Sequence, residues 1–205
     1  MLKQTLLTSS LIAIMSLSLM AQGNGHGKRN QTNYNQEQSF NHSSSDDRGD
    51  FLNTVSTTEE LSDAQKEGLS FIIEEEKVAR DVYLTLYTTW ENRVFKNIAK
   101  AEQKHMDALE KLFSTYEVEA PLTLEDVGIF ENAELQKLYD ELVERGNTSL
   151  LDALEVGVVV EETDIADLER LLEAGVPSDF EHVYTSLLKG SNKHLDAFNQ
   201  QISRQ

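Results

Sequence analysis

The sequence predicts an all-α protein, a bundle of four long helices with one long crossover that carries a short extra helix. Three observations predict it. Apolar residues recur every three or four positions through four long segments, the period of an amphipathic helix. The breaks between the first and second segments and between the third and fourth are short, so each pair must run antiparallel. The break between the second and third is long and is punctuated by Pro121 and Gly128. No segment shows the alternating pattern of a strand. The β-branched run from Val156 to Val160 lies inside a continuous helical period.

Helix one opens at Ser62, which forms a capping box with Gln65. Its stripe is Leu69, Ile72, Ile73, Glu76, Ala79, Tyr83 and Leu86. Helix two covers about residues 91–115, with Val94, Ile98, Ala101, Glu102, His105, Leu109 and Leu112 in phase. The short helix reads AELQKLYDELVER and is expected to stop at Gly146 as its C′ residue. Helix three opens at NTSLLDAL with Asn147 or Thr148 as cap, and its stripe is Leu154, Val158, Glu161, Ile165, Leu168 and Leu172. Helix four opens at Pro177 and Ser178, with Glu181 three residues on. Its stripe is Tyr184, Leu187, Leu188, Ser191, His194, Phe198 and Ile202.

Ahead of the helical part, residues 1–21 have the layout of a secretory signal peptide. A basic start at Lys3 is followed by an apolar run, LIAIMSLSLM, and a small residue at Ala21. Export to the periplasm or the exterior is the expectation, with no membrane span left after cleavage. Residues 22–55 are rich in Asn, Gln, Ser and Gly and read as a disordered polar linker, in which His26 and His42 are solvated tail residues. Residues 56–205 form the helical domain. The 205 residues carry 18 Lys+Arg against 36 Asp+Glu, a formal charge of −18, and no cysteine. Such acidity excludes nucleic acid as a partner, since phosphates need a basic face. The lack of cysteine excludes disulfides, thiolate metal sites and thiol catalysis. A homodimer is compatible with the sequence, which does not fix the oligomeric state.

Each long helix breaks its apolar stripe near the middle, at Glu76, at Glu102 and His105, at Glu161, and at Ser191 and His194. Lone charges in a core are costly unless paired or bound to a cation. Four breaks at similar depth point to a shared polar centre. Residues three apart share a helix face, so Glu102 and His105 can aim an oxygen and a ring nitrogen at one point. Carboxylates with two imidazoles suit iron or manganese and tolerate zinc, and two facing histidines with bridging carboxylates suit two ions. Glu161 and Glu162 compete for the interior on helix three; the phase of Val158, Ile165 and Leu168 favours Glu161. Asp164 either joins the centre or pairs with Arg80 or Lys193. Arg80 and Asp81 read as outer partners of the centre or as an interhelix ion pair, Tyr83 and Tyr184 as packing residues, and His182 as a surface residue.

The segments EKVARDVY and EQKH resemble the first- and second-helix motifs of rubrerythrin-like ferritins, E-x-x-A-R-[DN]-x-Y and E-x-x-H. EEEKVARDVYLTLY, VFKNIAKAEQKHMDAL, EETDIADL and GSNKHLDAF together resemble the uncharacterised domain-of-unknown-function 2202 family of bacteria and archaea, over about residues 61–202. The resemblance implies a ferritin-like four-helix bundle with a carboxylate-bridged dinuclear iron or manganese centre. Carried over residue by residue, the implied ligands are Glu76, Glu102, His105, Glu161, Asp164 and His194. The chain departs from the pattern at Ser191, where the second E-x-x-H glutamate should stand, and this puts oxidase chemistry in question. Two expectations follow. One is an exported metal-binding bundle with Fe(II) oxidation or peroxide reduction at its metals. The other is a non-catalytic structural or interaction bundle with a degenerate site.

Overall fold

A computed structural model describes residues 60–205. The signal peptide and the polar linker expected at residues 1–21 and 22–55 lie outside the described residues. The described chain is all-helical, with five helices: α1 (Asp63–Trp90), α2 (Arg93–Thr115), α3 (Ala133–Gly146), α4 (Leu150–Glu173) and α5 (Ser178–Ile202). No strand occurs among the described residues, and the Val156–Val160 run is helical. No described helix is long and apolar enough to cross a membrane.

Local chemistry sets the helix ends. Ser62 caps α1 with the expected capping box to Gln65. Glu91 takes a left-handed conformation, φ 49°, and turns the chain within two residues into α2, which Asn92 caps through its side chain. Two expected ends move. Gly146 is the last residue of α3 rather than the residue beyond it, and it lies tight against α1. A Cβ on Gly146 would meet Leu86 Cδ2 at 2.6 Å. The cap of α4 is Ser149, not Asn147 or Thr148; its hydroxyl accepts from the Asp152 amide. Pro177 precedes α5 without a side-chain cap.

α1 packs along α2, α4 along α5, α1 on α4 and α2 on α5, while α3 rests on α1 and α4. The apolar core is split in two. One cluster joins Leu69, Ile72 and Ile73 of α1 to Leu109 and Leu112 of α2, Leu168 of α4, and Phe180 and Leu187 of α5. The other joins Val82, Tyr83 and Leu86 to Phe95, Ile98, Leu154, Val160 and Phe198, with α3 closing its side. The start of α1 therefore meets the end of α2, and the end of α4 meets the start of α5, so both pairs are antiparallel. Every midpoint break found in the sequence falls in the gap between the two clusters.

The α2–α3 crossover is pinned by three charged residues of α1. Lys77, fully buried, donates to Asp81 Oδ2 at 2.6 Å and to the Asp126 carbonyl at 2.8 Å, and its ammonium lies 3.9 Å from the Phe130 ring centre. Arg80 donates to Asp81 Oδ1, to Gln103 Oε1 and to the Leu124 carbonyl, at 2.7–2.8 Å. The Gly128 amide, at a left-handed φ of 77°, donates to Asp81 Oδ2. Arg80 and Asp81 therefore anchor the crossover; their partners are not the carboxylates of the midpoint. Asp81→Ala would leave Lys77 and Arg80 buried without their counter-charge, a loss of about 3–5 kcal/mol. Urea unfolding should report that loss, and hydrogen exchange should quicken first around residues 124–130. An unchanged crossover would contradict this anchoring.

Candidate metal centre

The midpoint gap is built from one or two residues of each long helix. Glu76 sits on α1 between Ile73 and Val78, Glu102 and His105 on α2 between Ala99 and Met106, and Glu161 and Asp164 on α4 between Val160 and Leu168. Ser191 and His194 sit on α5 between Leu187 and Phe198. Glu76, Glu102, Glu161, Asp164 and Ser191 are buried, and the two histidines keep a ring edge partly exposed. Glu161 points inward while Glu162 is exposed, which decides between those neighbours. His182 is exposed, as its place in the first turn of α5 predicts.

The geometry has an approximate twofold character. His105 Nδ1 lies 3.1 Å from Glu76 Oε2 and 2.8 Å from Glu102 Oε2. His194 Nδ1 lies 2.9 Å from Glu102 Oε1 and 3.5 Å from Glu161 Oε2. Glu102 thus offers one oxygen to each imidazole, and the rings stack with centres 5.6 Å apart. Two triads result, Glu76–Glu102–His105 and Glu102–Glu161–His194, each with ligand atoms within 4.8 Å of one another. His194 Nδ1 and Glu102 Oε1 are close, yet neither makes an aligned hydrogen bond.

Asp164 stands beside both triads, within electrostatic reach of Glu76, Glu102 and His105. It pairs with neither Arg80 nor Lys193. Ser191 Oγ instead donates to Asp164 Oδ2 at 2.5 Å, leaving Asp164 Oδ1 buried without a hydrogen-bond partner. Ser191 therefore fixes the orientation of the Asp164 carboxylate on α4. Tyr83, fully buried, does more than pack: its hydroxyl donates to Glu161 Oε1 at 2.7 Å. Burial, then the charge of Glu161, pushes its phenol well above the usual range, so it stays a neutral donor. Tyr184 packs edge-on against Phe180.

The electrostatics follow from burial. Desolvation raises Glu76 and Glu161 to about 8, despite the imidazoles beside them. For His105 and His194 burial opposes the charge, but the flanking carboxylates prevail and raise them to about 11 and about 10. Glu102, held between two imidazoliums, overcomes its own desolvation and falls to about 2. In addition to the expected residues, the structure buries Glu75 and Asp167, two acids outside the sequence reading. The EEE run and the 161–164–167 spacing are the signals that could have found them.

One glycine makes room for the centre. A Cβ at Gly190 of α5 would lie 2.6 Å from His105 Nε2. The same crowding occurs at Gly157, where a Cβ would lie 2.5 Å from Phe198.

The arrangement defines a class: an all-helical protein with a buried carboxylate–imidazole centre at the midpoint of four helices. A family model described as an uncharacterized protein domain, DUF2202, matches residues 65–205, and the chain belongs to that family. It is 46% identical over 143 residues to the uncharacterized protein MJ0754 of Methanocaldococcus jannaschii, spanning 70% of this chain and 77% of that protein. A crystal structure of the hypothetical protein MJ0754 aligns with a TM-score of 0.70 at 44% identity, covering 72% of this chain and 84% of that one.

Two predictions follow from the charges and the packing. In chelator-treated protein Glu76 and Glu161 are raised, so their stabilising contribution is full below the ordinary 4.5 and is lost as pH rises through about 8. The raised histidines lose theirs later, towards about 10 and about 11. Thermal melts should therefore show stability declining with pH across that window, and Glu76→Gln should flatten the decline. A rise in melting temperature from pH 4.5 to 8 would contradict this. Gly190→Ala gains about 1 kcal/mol of helix propensity but forces the His105 ring aside. Overpacking costs about 1–3 kcal/mol, so the variant should be no more stable than wild type and should show a shifted His105 imidazole NMR signal.

Proposed function

We propose that the chain is an exported, ferritin-like four-helix bundle that binds two iron or manganese ions in its midpoint centre. The observation that carries this reading is the pair of triads sharing Glu102, with buried donor atoms of Glu76, Glu102, Asp164 and His194 that have no hydrogen-bond partner. A mixed oxygen and imidazole set of this kind fits iron or manganese. Glu76, Glu102 and His105 would hold one ion, and Glu161, Glu102 and His194 the other, with Asp164 as the additional carboxylate. Bound there, such ions supply a change of oxidation state, the chemistry of Fe(II) oxidation or peroxide reduction.

The chain's own residues set the conditions for that binding. His105 and His194 must each surrender a proton from Nδ1 before the nitrogen can serve as a donor, so cations compete with protons. Tyr83 holds Glu161 Oε1 and Ser191 holds Asp164 Oδ2, fixing which oxygen of each carboxylate is left to bind. The apolar clusters above and below exclude bulk water, and the overall negative charge draws cations in.

The test is the metal content of the purified full-length chain, followed by thermal melts with Fe(II) or Mn(II). Binding to the folded state should raise the melting temperature, by about 2.7 kcal/mol of stability at a hundredfold excess over Kd. The rise should grow with pH, shrink in His105→Ala, vanish in His105→Ala/His194→Ala and persist in Glu162→Gln. A protein that is isolated metal-free and does not respond to micromolar Fe(II) or Mn(II) overturns this reading. It would leave a non-catalytic helical bundle whose centre is held by carboxylate–imidazolium pairing alone.

A further inference from the structure

In a chain with a formal charge of −18, one exposed face is basic. Arg93, Lys100, Lys104 and Lys111 follow one another along α2 at spacings of seven, four and seven residues, which keeps them on one side of the helix. All four are exposed, and so are Lys189 and Lys193, four apart on α5. None of the six makes an ion pair or a side-chain hydrogen bond among the described residues, whereas Lys77, Arg80, Lys137, Arg145 and Arg170 all have carboxylate partners. Asp107 and Asp196 share the face, and Asp107 already accepts from Gln103. Lys100 with Lys104, and Lys189 with Lys193, are like-charge pairs at i,i+4, which weaken a helix slightly. An anionic partner would remove that cost.

The midpoint centre comes nearest to solvent at this face. α2 packs on α5, and the His105 and His194 rings stack across the seam. Their side chains are 14% and 12% exposed, while the carboxylates beside them are buried. The sequence repeats itself there, KHMDAL at 104–109 and KHLDAF at 193–198. Each repeat sets an exposed lysine directly before a histidine of the centre.

The stripe from Arg93 to Lys111 is about 27 Å long, more than one small anion can span. A membrane or a nucleic acid is wider still and brings its charge up against the acidic remainder of the molecule. A compact acidic patch meets the stripe alone, since charges are screened over about 8 Å at physiological salt. We infer that the outer face of α2 and α5 is a docking surface for a protein that bears an acidic patch. Lys100, Lys104, Lys189 and Lys193 make its central contacts, and Arg93 and Lys111 its ends. That length by two helix widths is the scale of a transient protein interface. The partner sits over the edges of His105 and His194, so docking changes the access of solvent to the centre. The contacts need no metal, so the surface stands or falls separately from the dinuclear reading.

An NMR titration of the full chain tests this, after chelator treatment and at low salt, with a polyglutamate peptide as the acidic probe. Amide signals of residues 100–108 and 189–197 and the ring signals of His105 and His194 should shift, and the Kd should rise with salt. Lys104→Glu/Lys193→Glu should weaken binding by about tenfold or more. Lys137→Glu, on α3, should leave it unchanged. Lys104→Gln/Lys193→Gln gives the same comparison if the reversed charges disturb folding. Shifts confined to other faces, or equal binding by the lysine variants, overturn the docking surface. Tighter binding to phosphatidylglycerol vesicles or to a DNA duplex than to polyglutamate also overturns it, in favour of a lipid or nucleic-acid surface. Metal content is measured before chelation. Protein that is isolated metal-free and still binds polyglutamate at this face leaves the docking surface standing while the dinuclear reading falls. Metal-loaded protein that ignores the peptide does the reverse.

Discussion

A carboxylate in the middle of an apolar core costs several kcal/mol unless a positive charge, a proton or a hydrogen-bond donor meets it. Glu102 meets that cost with two imidazoles, one on each oxygen, and the rest of the molecule is arranged around this bridge. The apolar core divides into two clusters to leave a layer for it. Each long helix interrupts its own stripe at that layer, and both antiparallel pairs bring the interruptions to the same level. The price of the layer is a core with no continuous apolar column, so the contacts at both ends must carry the packing.

Side chains with no direct place in the layer decide its geometry. Gly190 lets α5 come close enough for His105 to lie against its backbone, and Gly157 does the same for Phe198 one layer away. Phe198 in turn packs on Tyr83, whose hydroxyl holds Glu161. Ser191 is the instructive case. Judged by residue type it is the loss of a carboxylate. In three dimensions it is the donor that orients Asp164 on the facing helix α4.

α1 does two jobs with adjacent residues. Glu75 and Glu76 turn towards α4 and the midpoint layer, while Lys77, Arg80 and Asp81 turn towards the crossover. The helix is therefore charged almost all round at its centre, yet buried, because every face meets a different partner. That explains why residue type alone could not sort its charges by role.

The sequence by itself determined the helices, their order, the antiparallel pairs and the level of the polar layer. All of these follow from a 3.6-residue period and from turn residues, which act locally. It also picked Glu161 over Glu162, because one residue of rotation on a helix is about 100° and moves a side chain from core to solvent. Only the tertiary structure decided the partners. Glu75 and Asp167 look like solvated acids until α1 and α4 are set against each other, and Arg80 looks like a partner of the centre until the crossover covers it. The same holds for Gly146, which ends α3 as a helix stop would but also gives Leu86 the room a Cβ would fill. Contacts between residues distant in sequence depend on how far each helix is rotated and how closely it approaches, and neither is written in the period of any one helix.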